Sequence, residues 1–307
     1  MKTSKINRKY WLDIAKGIAI FLMVIGHTSI PNAVSNFIYA FHMPLFFIAS
    51  GLASNYDRHT WDEYVKHKSY TIMLPFLSYS VIVILLQYSI GALDATNFLK
   101  TGWGGYALWF APILYFASIL TMLICRIRNN YIRLAMMLSM LLMGYGLCHY
   151  KIVLPWSLST VPYATFLILV GNELKYYSRM IETENHNWVI AAAFIVPVVI
   201  SHFYRLDLAW NNIIPIIPLT VGAIVGTLMI FRLSVWIEQH MKRCSSILQA
   251  IGKETYIVVA FSQVIIMYIN HFFMINVLWK YVILVVVLIF LKYAKDWINR
   301  LVKVKIL

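Results

Sequence analysis

The stretch "WLDIAKGIAIFLMVIGHTSI", Trp11 to Ile30, decides how this chain is read. It opens with an acid and a lysine, runs apolar, and then places a histidine, His27, deep in its greasy part. A histidine in hydrocarbon is costly unless it is paired or faces an internal cavity. Either something masks His27 or something uses it.

The rest of the chain has the same character. Of its 307 residues 61% are hydrophobic and 12% charged, and the mean hydropathy is +0.72. A soluble globular chain carries about twice that charged fraction. Apolar windows long enough to span a bilayer recur at approximately 12–30, 34–53, 70–90, 105–125, 132–149, 155–172, 187–203, 212–232, 255–273 and 277–293. Helices satisfy their own backbone polar groups in lipid, so the pattern predicts an all-α integral membrane protein, a bundle of about ten transmembrane helices. Connections are short, and neither an internal repeat nor a soluble domain is visible, so residues 1–307 read as a single transmembrane domain. The leading segment lacks a small-residue cleavage site and reads as a first span rather than a removable signal.

Charge orients the spans. With both termini cytoplasmic, only Lys100, Lys151, Arg205 and Lys280 of the 26 Lys and Arg residues fall outside. That is the cytoplasmic excess of basic residues expected of a polytopic protein. The net charge of +14 is then a topological signature and calls for no nucleic-acid partner. Cys125, Cys148 and Cys244 are scattered, forming neither a disulfide framework nor a zinc motif. Trp11, Trp61, Trp103, Trp156 and Trp188, near span ends, read as interfacial anchors.

Within the first span, Lys16 and His27 are eleven residues apart, which returns to within about 20° of one helix face, about 16 Å along the axis. With Lys16 at the cytoplasmic boundary, His27 lies near the middle of the hydrocarbon layer. Asp13, three residues before Lys16, can pair with it. The second span, "NFIYAFHMPLFFIASGL", brings His42 to comparable depth, about 11 Å below the outer surface. Pro44 withdraws an amide hydrogen there and frees the Ala40 carbonyl or kinks the helix. Two histidines beside such a break predict a polar cavity. Neutral histidine suits general-base chemistry, and it equally suits a proton relay, so spacing alone leaves enzyme and carrier open. His59, His67, His149, His186, His202, His240 and His271 fall in loops or near helix ends and read as bystanders. No HExxH, CxxC, P-loop or GxSxG pattern occurs, and no metal site is expected. The run "GWGGY" (102–106) is an outer loop, on the wrong side for a cytoplasmic nucleotide.

These segments resemble the membrane acyltransferase-3 family, in particular its fucose 4-O-acetylase-like branch of polysaccharide O-acetyltransferases. The resemblance is carried by "LDIAKGIAIFLMVIGH", similar to that family's Arg/Lys-x10-His first helix, and by "FHMPLFFIASGL" in the second. It continues through "KHKSYTIMLPF", "LWFAPILYF", "FLILVGNELK" and "IGKETYIVV" in family order. It implies acetyl transfer from cytoplasmic acetyl-CoA to a hydroxyl of an extracytoplasmic saccharide, a surface polysaccharide or its lipid-linked precursor, in the cell membrane. It implies further that His27 is the catalytic histidine and Lys16 the functional cation, with His42 as a partner; Asp13 joins these candidates through its spacing from Lys16. One departure stands out: where the family often has a histidine after "GK-x-[ST]", this chain has Ser262 and Gln263.

An anionic cytosolic donor also fits the cations of the inner face. Lys66, Lys68, Arg126 and Arg128 are the candidates for its phosphates, although positive-inside bias alone would supply such residues. The competing readings are a proton-coupled transporter or polysaccharide flippase, and a scaffold without chemistry. The first lacks the two-fold repeat and paired broken helices that such carriers show.

Overall fold

A computed structural model describes residues 9–28, 30–94, 96, 98, 106–183, 187–273 and 275–302. Lys100, Trp103, most of the 102–106 loop and His186 lie outside them, and the Trp188 side chain is likewise not described. Among the described residues the chain is helical throughout, with no strand. The helices are α1 (Tyr10–Gly26), α2 (Asn32–Tyr39), α3 (His42–Ala53), α4 (Trp61–Lys68), α5 (Leu74–Ser89), α6 (Phe110–Cys125) and α7 (Asn130–His149). They continue with α8 (Val161–Glu173), α9 (Ser178–Glu182), α10 (Asn187–Phe203), α11 (Ile216–His240), α12 (Lys242–Lys253), α13 (Thr255–Phe272) and α14 (Val277–Val302).

Among the described residues six helical stretches are long and apolar enough to cross a membrane: Asn32–Ala53, Trp61–Ser89, Tyr106–Cys125, Asn130–His149, Ile216–His240 and Thr255–Phe272. Burial sorts the helices by neighbour. In α3 and α8 nearly every side chain is buried, whereas α7 buries only Gly144 and exposes Tyr131, Leu142 and Met143. A helix apolar on every face and exposed on most of them is stable only with hydrocarbon as its solvent.

The centre is held by backbone contact between α3 and α8. A Cβ on Gly51 would overlap the Ile168 carbonyl, and one on Gly171 the Ile48 carbonyl. Lipid tails are as apolar as leucine, so helices in a membrane associate through such close van der Waals fit rather than through expulsion of water. An equivalent pairing seats α12 on α1, where Gly17 faces the Leu248 carbonyl and Gly252 the Asp13 carbonyl.

Three elements depart from the span-by-span reading. The first helix ends at Gly26 rather than near Ile30, and Thr28 Oγ1 caps the Ile25 carbonyl at 2.7 Å. The stretch 54–69, read as a loop, contains α4, started by a reciprocal Thr60–Glu63 cap and running through a π turn into α5. Likewise 232–254 contains the amphipathic α12, whose few apolar residues made no membrane-length window. Trp11 is also no anchor. It is 4% exposed, packs edge-on to Phe231 at 5.2 Å, and donates to Glu182 at 3.3 Å. Trp11 follows the helix face turned to α11, which neighbouring polarity does not reveal. Cys125, Cys148 and Cys244 form no disulfide.

Candidate active site

The break expected beside Pro44 is present. Helix α2 stops at Tyr39, α3 starts at His42, and Phe41 between them leaves helical geometry with φ −140° and ψ −16°. Proline has no N–H to return to the carbonyl four residues back, so the ladder is interrupted there. His42 fills part of the gap, its Nδ1 lying 2.9 Å from the Ile38 carbonyl oxygen. A carbonyl can only accept, so His42 donates from Nδ1, and in the neutral ring the lone pair is on Nε2.

His27 is the residue that ends α1, and it meets the same break. Its Nδ1 is 3.3 Å from the Tyr39 hydroxyl, and the Tyr39 ring stands edge-on to His42 with centroids 5.0 Å apart. Tyr39 therefore joins the two histidines. The Tyr39 ring also carries the Arg205 guanidinium, 4.0 Å from its centroid, a cation held by the ring's quadrupole. Arg205 Nη1 also donates to Asn36 Oδ1 at 3.2 Å and Ser35 Oγ at 3.4 Å.

Arg205 belongs to the segment between α10 and α11, which closes on itself through the bridge Asp207–Asn212, with backbone bonds of 3.0 and 2.8 Å. Thr160 Oγ1 ties the segment to the bundle through the Leu208 carbonyl at 2.7 Å. It roofs a cavity of about 200 Å³ into which His27, His42, Tyr39, Asp207, Trp210 and Gln263 open. Burial pushes the Asp207 carboxyl above its ordinary range, with Arg205 pulling the other way.

A second and larger cavity, about 1070 Å³, runs between α1, α13 and α14. It extends from Glu254 and Lys292 at one end to Thr28 and Lys280 at the other, along a mostly apolar wall that includes Val24 and Leu288. His27 lines both cavities, which is why its side chain is exposed although it sits within the bundle.

Lys16 and Asp13 form the expected pair, 2.7 Å apart, with the carboxylate side chain 7% and the lysine 30% exposed. Neither lines either of these two cavities. Lys66, Lys68, Arg126 and Arg128 are elsewhere, around α4 and the end of α6. There Arg126 donates to the His59 carbonyl at 3.0 Å and Lys68 lies over the Tyr64 ring at 5.4 Å. The structure brings His27 and His42 together and leaves these four cations apart from them. Among the described residues, no three His, Cys, Asp or Glu side chains are grouped so as to hold a metal ion.

Sequence reasoning passed over Tyr39 and Arg205. Arg205 carried a signal, being one of only four basic residues that the ten-span reading leaves outside. Tyr39 carried a weaker one, three residues before His42 and so on the same helical face.

Residues 9–297 match the family model described as an acyltransferase domain, Acyl_transf_3. No curated protein and no solved structure was found to match. A match over nearly the whole chain shows the family: this chain belongs to the acyltransferase-3 family, and with its membrane-crossing helices it is a membrane acyltransferase.

Proposed function

We propose that this enzyme transfers an acetyl group from cytoplasmic acetyl-CoA to a hydroxyl of an extracytoplasmic saccharide, a surface polysaccharide or its lipid-linked precursor, in the cell membrane. The observation that carries the reading is the position of His27 on the shared wall of two cavities of opposite character. The long apolar groove suits the thin pantetheine arm of the donor, with Lys292 at its far end. The small cavity, walled by aromatic and polar side chains, suits a sugar. Ten spans with both termini cytoplasmic put the groove's Lys292 end inside and the Arg205 roof outside, in keeping with the charge bias.

In this mechanism the donor thioester carbonyl reaches His27 along the groove. With Nδ1–H donating to the Tyr39 hydroxyl, Nε2 of His27 holds a lone pair and removes the proton from the sugar hydroxyl as that oxygen attacks the carbonyl. The C–S bond breaks, and the proton passes from the imidazolium to the departing CoA thiolate. In a two-step variant Nε2 itself attacks the carbonyl and the C–S bond breaks to release CoA thiolate; the sugar oxygen then takes the acetyl group from the acetyl-imidazolium as the N–C bond breaks, and the hydroxyl proton passes to the thiolate. His42, with its lone pair on Nε2, accepts a hydrogen bond from the incoming hydroxyl and orients it.

Sidedness tests the proposal. Inverted membrane vesicles given acetyl-CoA labelled in the acetyl group should incorporate label into saccharide on their luminal side, and sealed right-side-out vesicles should not. Equal incorporation from either face, or saccharide movement without any need for acetyl-CoA, would refute it.

Lys16 has two possible jobs, guiding the donor phosphates or neutralising Asp13, and variants separate them. Lys16→Met takes the cation from a nearly buried carboxylate and should cost about 1–3 kcal/mol, less than a fully buried charge because Lys16 is partly exposed. Adding Asp13→Asn should restore thermal stability in detergent. If Lys16 guides the donor, as we propose, the double variant stays slow with a raised acetyl-CoA KM. Recovery of full activity would reduce Lys16 to a counter-ion.

A further inference from the structure

Helix α13 carries two adjacent polar residues, Ser262 and Gln263, in an otherwise apolar run. Both hold a buried oxygen, Ser262 Oγ and Gln263 Oε1, with no hydrogen-bond partner among the described residues. Their surroundings differ. Ser262 is 1% exposed and packed into the bundle, whereas Gln263 lines the small cavity with His27, His42 and Asp207. The Gln263 side chain is half-buried with its Oε1 unpartnered; an unsatisfied buried oxygen weakens a fold that Met or Leu would serve better, and such groups persist where they meet a ligand.

The cavity indicates which ligand. Trp109 and Trp210 contribute aromatic surface, and Asp207, whose Oδ1 is fixed by the Ala209 amide at 3.2 Å, contributes a carboxylate. Aromatic faces that meet C–H bonds, with a carboxylate and a carboxamide at the rim for hydroxyls, suit an uncharged polyhydroxylated ring. A half-turn of the Gln263 amide exchanges Oε1 and Nε2, so it can present an acceptor or a donor.

We propose that Gln263 binds the acceptor sugar, its carboxamide hydrogen-bonding a hydroxyl adjacent to the one that receives the acetyl group, with Asp207 holding the opposite edge of the ring. This rests on the saccharide acetyl-transfer reading above. It assigns acceptor recognition to α13, the loop after α10 and the α6 entrance, and leaves the donor to the groove. Gln263 lines the small cavity and not the groove, so its loss should be felt by the acceptor and not by the donor.

The test uses the full chain in membranes, with acetyl-labelled acetyl-CoA and methyl hexopyranosides, together with their monodeoxy derivatives, as acceptors. Gln263→Met, equal in length and unable to form the bond, should lower acceptor kcat/KM about 10- to 100-fold through KM, with acetyl-CoA KM unchanged. One monodeoxy acceptor should show the same loss with the wild-type protein and no further loss with Gln263→Met. Ser262→Ala should leave both constants unchanged. The thermal midpoint of Gln263→Met should equal or exceed that of wild type, since an unpaired polar atom is removed. An unchanged acceptor KM, a uniform loss over all deoxy acceptors, or a falling midpoint that accounts for the lost activity would each overturn the inference while the wild-type protein still transfers acetyl. Absence of label in any saccharide with the wild-type protein would instead overturn the acetyl-transfer reading, and this inference with it.

Discussion

His27→Gln is expected to lower acetyl transfer by about 10²- to 10⁴-fold, the usual worth of a positioned general base. Glutamine keeps a polar group of similar reach at the end of α1, so the hydrogen bond with Tyr39 has a substitute. What it cannot supply is an imidazole lone pair, for proton removal or for attack on the thioester. The residue is exposed to both cavities and ends a helix rather than filling a core, so the folded protein should persist. Label from acetyl-CoA should vanish from saccharide in membranes containing the variant at wild-type abundance. If an acetyl-imidazole forms, the wild-type protein incubated without acceptor should retain label that His27→Gln lacks. Full activity in the variant would remove His27 from the chemistry.

His42 gives the second large effect, and two substitutions divide its roles. The side chain is 3% exposed, with Nδ1 committed to the Ile38 carbonyl at the α2–α3 break. In His42→Asn the amide nitrogen occupies the position of Nδ1 and can still serve Ile38, while the Nε2 position is empty of any acceptor. This variant should fold normally and transfer acetyl about 10²-fold more slowly, because the incoming hydroxyl has lost its guide. His42→Leu removes both functions and should also lose about 1–3 kcal/mol, the cost of leaving a buried carbonyl poorly satisfied. Thermal unfolding in detergent beside acetyl-transfer rates separates the outcomes. Wild-type rates in His42→Asn would make His42 a structural plug for the broken helix.

Much of this site was legible from residue order where the determining interactions are local. Asp13 and Lys16 pair because three residues make most of a helical turn. The break before His42 follows from the missing N–H of Pro44. Even the meeting of His27 and His42 could be anticipated, since a short connection forces adjacent helices to run antiparallel and brings residues near the connection together. Helix ends were less legible. Apolarity continues past Gly26 to Ile30, but the chain leaves the helix where Thr28 caps it, a local competition that hydropathy does not measure.

Convergence over long sequence distances lay beyond that reading. Arg205 stacks on Tyr39 where α10 packs on α2 and α11, and Gln263 shares a cavity with His27 where α13 packs on α1. Helix α11 rests on α3, whose closeness to α8 depends on Gly51 and Gly171 meeting facing carbonyls. The same packing leaves Lys66, Lys68, Arg126 and Arg128 at another corner, around α4 and the end of α6. By itself, then, the sequence determined the membrane as solvent, the helix as the repeating element and a histidine embedded in hydrocarbon, because hydropathy and backbone satisfaction act residue by residue. Only the tertiary structure decided that His27 stands on a wall shared by two cavities and which distant side chains face it, because in lipid helix partners are chosen by detailed surface fit, which no periodicity encodes.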